Sequence, residues 1–119
     1  MFEAFAGGDP RVLFDVIADD AVWRVPGNTP VSREYRGRDE IFGLFRETRR
    51  RTDGTYRSEL RWALADGDRA VALYRASGRR LGREIDIDQV LLIELRDGRW
   101  QQILALPTDP AAFEAFWSD

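Results

Sequence analysis

The sequence predicts an α+β domain in which helices close one face of a curved antiparallel sheet, so that the sheet becomes a cone with an interior. Three observations carry this. Apolar residues recur at helical spacing in the first 50 residues. After Gly54 the period changes to two. The segments that follow are joined by the tight-turn sequences Asp66-Gly67, Arg80-Leu81-Gly82 and Asp97-Gly98. Helices first and a strand meander second is an α+β order, and 119 residues suit one domain spanning 1–119.

Taken in order, residues 2–6 read as the end of a helix stopped by Gly7-Gly8. Asp9 and Pro10 make an N-cap and first helical residue, so a second helix is expected over 10–18, ended by Asp19-Asp20. Residues 21–25 read as a short strand, and 26–30 as a rigid Pro/Gly loop. A third helix is expected over 38–51, with Ile41, Leu44 and Phe45 as its apolar stripe and Phe42 beside it. Residues 55–65 alternate as a half-buried strand, with Tyr56, Ser58, Leu60, Trp62 and Leu64 on one face. Further strands are expected over 69–77, 84–95 and 99–106. Pro107 and Pro110 then frame a short closing helix over 111–117 that carries Phe113, Phe116 and Trp117.

Composition removes whole classes of chemistry. The chain has no cysteine and no histidine, which excludes disulfides, thiolate sites, Ser-His and Cys-His catalysis and histidine-ligated zinc. No motif implies an organic cofactor or a metal. Apolar runs such as residues 90–93 are far too short to span a membrane, and no leader pattern opens the sequence, so the expected location is the cytoplasm. All 18 basic residues are arginine, yet the net charge is −3, a poor balance for non-specific nucleic-acid binding. The run Arg46, Arg49, Arg50, Arg51 falls at a helix C-terminus, where cations complement the dipole and face solvent.

Several short pieces carry a family resemblance: residues 5–9 (Phe-Ala-Gly-Gly-Asp), 19–23 (Asp-Asp-Ala-Val-Trp), 25–27 (Val-Pro-Gly), 35–41 (Tyr-Arg-Gly-Arg-Asp-Glu-Ile) and 95–99 (Leu-Arg-Asp-Gly-Arg). Together they make nearly the whole chain resemble the SnoaL-like branch of the NTF2-like superfamily, which has a cystatin-like α+β barrel. The resemblance implies an apolar cavity and a homodimer formed through the outer face of the sheet. Its members include ketosteroid isomerases, limonene-epoxide-hydrolase-like enzymes, polyketide cyclases and non-catalytic binding domains, and fold does not choose among them. Their chemistries do not carry over. The isomerase positions match Met1, Val25 and Leu91, and the epoxide-hydrolase positions match Ala72, Tyr74 and Ala105. The histidines of the cyclases have no counterpart.

The remaining candidates come from strand faces. On 84–95 the odd positions, Ile85 to Leu95, are apolar apart from Gln89, so that face belongs inside with Gln89 as a ligand-orienting amide or a satisfied core glutamine. Tyr74 stands among Ala70, Ala72 and Ala76, small neighbours that leave room beside a phenol able to orient a ligand or serve the core. Asp86 and Asp88 share the other face; their spacing suits paired carboxylates in a hydrolase, or an arginine-paired exposed edge. The candidate catalytic groups are thus Tyr74, Gln89 and Asp88. The candidate ligand-binding wall is Trp23, Val25, Trp62, Tyr74, Gln89, Leu91 and Trp100. The expected function is binding of a small apolar molecule, with isomerase- or cyclase-type turnover by positioning. The alternatives are a non-catalytic ligand-binding or dimerisation module and a carboxylate hydrolase built on Asp86 and Asp88.

Overall fold

The computed structural model describes residues 16–119. These form strands β1 (Ile17–Arg24) and β2 (Glu34–Arg36), helix α1 (Gly37–Arg51), strands β3 (Arg57–Asp66), β4 (Arg69–Arg80), β5 (Arg83–Arg96) and β6 (Arg99–Pro107), and helix α2 (Pro110–Trp117). The six strands make one sheet in the order β2-β1-β6-β5-β4-β3. The sheet is curved and unclosed, and helix α1 packs on β1, as an α+β cone requires.

The expected helix over 2–6 and most of that over 10–18 lie outside the described residues. Where 10–18 enters them the expectation is corrected: Ile17 and Ala18 already belong to β1, which begins four residues before the predicted strand. The cause is tertiary. Ile17 pairs with Trp100 and Val22 with Gln102, so Asp19 and Asp20 bulge out of the ladder instead of ending a helix. Both aspartates are exposed and find partners, Asp19 with Arg38 at 2.8 Å and Asp20 with Gln101 at 3.1 Å. The sheet is also not purely antiparallel, because β1 runs parallel to β6. The three-residue β2, which pairs with β1, was not foreseen.

Helix α1 starts at a positive-φ glycine, Gly37, with no side-chain cap from Arg36. Glu40, four residues on, reaches back and accepts a bond from the Arg36 N–H at 2.9 Å, which satisfies a backbone donor at the helix start. Acidic Asp39 and Glu40 open the helix and Arg49, Arg50 and Arg51 close it, each favourable to the dipole. Ile41 and Leu44 are buried against β1. Helix α2 is capped by Asp109, whose carboxylate accepts from the Ala112 N–H at 3.0 Å, with Pro110 in the first turn. Its Phe113, Phe116 and Trp117 are all buried.

The core lies on the concave face. Trp23, Trp100, Ile93, Leu91, Ile103 and Phe116 are nearly or fully buried there. Burying aromatic side chains of this size dominates the hydrophobic stabilisation.

Candidate functional site

Strand β5 places Gln89 as its odd face predicts, with Ile85, Leu91 and Ile93 buried beside it. Tyr74 on β4 is directly opposite Gln89 in the ladder and is also buried. Leu91, Trp23 and Trp100 lie in the same core, and Val25 packs against it just beyond β1. Trp23 and Trp100 approach to 6.5 Å, and the Phe45 ring meets Trp23 edge-on at 5.2 Å.

Trp62 is a correction. It is 47% exposed and sits on the convex face with Leu64, which is 69% exposed. The alternation of β3 breaks in the middle: Leu60 pairs with Tyr74, but Trp62 pairs with Leu73. Arg61 is the extra residue of a β-bulge, and a shift of one residue sends every later side chain to the opposite face. Up to Leu60 the strand follows the predicted phase; beyond it, Ala63 takes the inward position that the pattern gave to Trp62 and Leu64.

Asp86 and Asp88 also stand on the convex face. Asp86 is bidentate with Arg75 at 2.7 Å, and Asp88 meets Arg61 at 2.6 Å. The Arg75 guanidinium holds the Asp86 carboxyl below its ordinary range. Both carboxylates are thus paired with arginines and turned away from the core, the second of the two arrangements that their spacing allows. A groove of about 370 Å³ bordered by Arg57, Ser77, Gly78 and Glu84 opens at this end of the strands and is lined with charge.

What the strands do assemble on the concave side is a neutral polar cluster. The Gln89 amide donates to the Tyr56 hydroxyl at 3.4 Å, and Ser58 follows two residues on from Tyr56 in the same inward phase. Tyr56 and Ser58 are the members that the sequence reading passed over; their signal was their shared face with Leu60, two and four residues on. Three contacts fix Tyr56. Thr52, fully buried at the end of α1, donates its hydroxyl to the Thr48 carbonyl at 2.8 Å and accepts the Tyr56 N–H at 3.1 Å. Gly78 lies so close that a β-carbon there would stand 3.3 Å from the Tyr56 Cα. The Trp117 ring meets the Tyr56 ring at 5.7 Å, so α2 covers this end of the sheet. Burial pushes the Tyr56 phenol up to about 12, partly countered by Ser58 and Gln89. Burial, and Tyr56 beside it, push Tyr74 well above its ordinary value. Both phenols therefore stay protonated at neutral pH and serve as hydrogen-bonding groups rather than bases. Among the described residues no cluster of carboxylates is arranged to hold a metal.

Arginines organise α2 from outside the cluster. Arg80, almost wholly buried, donates to the Phe116 and Ser118 carbonyls at 3.1 and 2.8 Å and pairs with Asp119; Arg51 also reaches Asp119, at 3.1 Å. Arg80 thereby satisfies carbonyls that a helix C-terminus leaves open. No described helix is long and apolar enough to cross a membrane.

Comparison with known proteins agrees with this architecture. The profile of the SnoaL-like domain matches residues 1–103. The uncharacterized protein Rv0034 of Mycobacterium tuberculosis is 32% identical over 118 residues, covering 98% of this chain and 90% of its own. Among solved structures, Bal32a from a soil-derived mobile gene cassette superposes with a TM-score of 0.89 at 27% identity, over 98% of this chain and 89% of that one. A putative SnoaL-like polyketide cyclase from Jannaschia reaches 0.75 at 15% identity, over 99% and 89%, a likeness of fold. With the family profile spanning most of the chain and the strands ordered as that fold requires, the chain belongs to the SnoaL-like domain family.

Proposed function

We propose that this domain binds a small, largely apolar molecule against the concave face of its sheet, and that any turnover proceeds by positioning. The observation that carries the reading is the cluster of Tyr56, Ser58, Tyr74 and Gln89, set in a wall that is otherwise aliphatic and aromatic. Ligand sites are mostly apolar with a few placed polar groups, which is the composition found here. The inward residues described around the cluster include no carboxylate, so proton abstraction has no base among them. Orientation alone can supply several kcal/mol toward cyclisation or isomerisation of a reactive ring system. The same lack of a base favours, as the second reading, a carrier or sensor that binds without turnover.

The test is a thermal-shift screen of flat apolar compounds, followed by Tyr74→Phe and Gln89→Leu. Saturating ligand is expected to raise Tm by several degrees, since binding to the folded state stabilises it by mass action. Both variants are expected to weaken the shift given by compounds that carry a hydrogen-bonding group, while remaining folded. A screen in which no compound moves Tm overturns the reading.

The convex face supports a second copy of the chain as partner. Trp62, Leu64, Val71, Leu73, Val90 and Leu92 form an apolar band across β3, β4 and β5, with Leu92 40% exposed. The ion pairs Arg61–Asp88 and Arg75–Asp86 border it. Apolar patches with charged borders mark protein interfaces, and a band carrying both signs suits an isologous contact. Sedimentation is expected to give a dimer that Leu92→Asp converts to monomer; a monomeric parent protein at micromolar concentration overturns this. We place the protein in the cytoplasm on the same footing, to be checked by fractionation of the native host.

A further inference from the structure

We propose that Gln89 is the ligand anchor, and that it selects an uncharged ring ligand carrying a hydrogen-bond donor beside a carbonyl, as in a lactam. This rests on the cavity-binding reading above and names the chemistry of its ligand.

The side chain of Gln89 ends in a primary amide. It offers two N–H donors and a carbonyl with two lone pairs. Gln89 is 3% exposed, and among the described residues its side chain makes one hydrogen bond, the 3.4 Å contact to Tyr56. Its carbonyl oxygen receives no donor from them. Yet no fully sequestered side-chain nitrogen or oxygen among the described residues lacks a partner. The Gln89 oxygen therefore keeps a small exposed area, although the residue as a whole is 3% exposed. A buried amide that leaves its carbonyl and one N–H unused is costly unless something else engages them. The complement of that edge is a donor and an acceptor side by side.

The surroundings exclude the competing chemistry. Ser58, Leu60, Tyr74, Ala76, Ile87 and Leu91 flank Gln89 on the concave face, and all are neutral. The nearest buried cation, Arg80, is already engaged by two carbonyls and Asp119. A carboxylate ligand placed here would be desolvated with no described cation to receive it. The ladder also holds the anchor still: Gln89 pairs with Tyr74 on one side and Pro107 on the other.

The experiment uses four bicyclic probes of similar shape on the intact protein, by calorimetry or intrinsic tryptophan fluorescence: 2-quinolone, N-methyl-2-quinolone, naphthalene and 2-naphthoate. The expected result is that 2-quinolone binds about tenfold more tightly than its N-methyl form, the value of a lost neutral hydrogen-bond pair, and more tightly than 2-naphthoate. Gln89→Leu is expected to erase the preference for 2-quinolone over the N-methyl compound and to keep naphthalene binding. Naphthalene binding without that preference in the parent protein, or tighter binding of 2-naphthoate, overturns the anchor and leaves the cavity reading standing. Failure of all four to bind overturns both. The parent-protein comparison holds even if Gln89→Leu does not fold.

Discussion

The two faces of the sheet spend their polar residues in opposite ways. Around Gln89 the inward polar groups are neutral, two phenols, a hydroxyl and an amide, and the buried cation of this face, Arg80, stands at the far end of β4 tied to α2 and Asp119. On the convex face of the same strands they are ions, arranged as Arg75–Asp86 and Arg61–Asp88. Each face also carries a tryptophan, Trp100 buried and Trp62 half in solvent. Away from water the residues around Gln89 are neutral and the buried Arg80 has its counter-ion in Asp119; where water is present, ions pair at little gain. A site built on the concave side is therefore equipped for neutral ligands and orientation, and the convex side for contact with another surface.

The comparison breaks most sharply at the tryptophans. Trp100→Ala is expected to cost about 3–5 kcal/mol of folding stability by urea denaturation, because it empties a fully buried volume, whereas Trp62→Ala is expected to change a monomer by about 0.5 kcal/mol or less. Equal losses at the two sites would show that the faces are not inside and outside. Next is Arg80→Met, which removes a buried cation from two carbonyls and a carboxylate; a loss of about 2–3 kcal/mol is expected, with α2 more open to hydrogen exchange. Gln89→Leu should cost about 1 kcal/mol or less, since one long bond is lost and Thr52 and Trp117 still hold Tyr56; its effect belongs to binding, which a titration beside the melt separates. The smallest effect is expected for Asp86→Asn on the exposed Arg75 pair. The Asp86 carboxyl is lowered in the folded state, so what the pair contributes is present above the ordinary carboxylate range and is lost as pH falls through the folded value. The urea midpoints of parent and variant should nearly coincide at pH 7 and converge in acid; a large gap at pH 7 that persists at pH 2 would refute this account.

Much of this was legible in the residues. The turns at Gly67, Gly82 and Gly98, the strands they join and the inward placement of Gln89 and Tyr74 follow from period and turn chemistry alone. Positive φ at Gly67, Gly82 and Gly98 is the conformation for which those glycines were read. Trp62 was misplaced because a bulge leaves no mark in composition: Arg61 looks like any outward residue of an alternating strand. The early start of β1 was missed because a capping aspartate pair and a strand bulge use the same residues, and only β6 decides between them. Tyr56 escapes notice as a site residue because its importance lies in contacts with the neighbouring Thr52 and with Gly78 and Trp117, which are distant along the chain.

The parallel seam between β1 and β6 has a kinetic consequence. Strands β3 to β6 close as successive hairpins, whereas Val22 meets Gln102 across about 80 residues of chain. Loop closure of that span carries a larger entropy cost than any hairpin and, in general, long-range pairings slow folding. The meander should therefore form before the seam. Trp23 and Trp100 approach only once the seam is closed, so their ring contact should be a late event, and tryptophan fluorescence should lag behind far-ultraviolet circular dichroism during refolding. The polar cluster, carried on β3 to β5, would then take shape before the aromatic end of the core that lies beyond it.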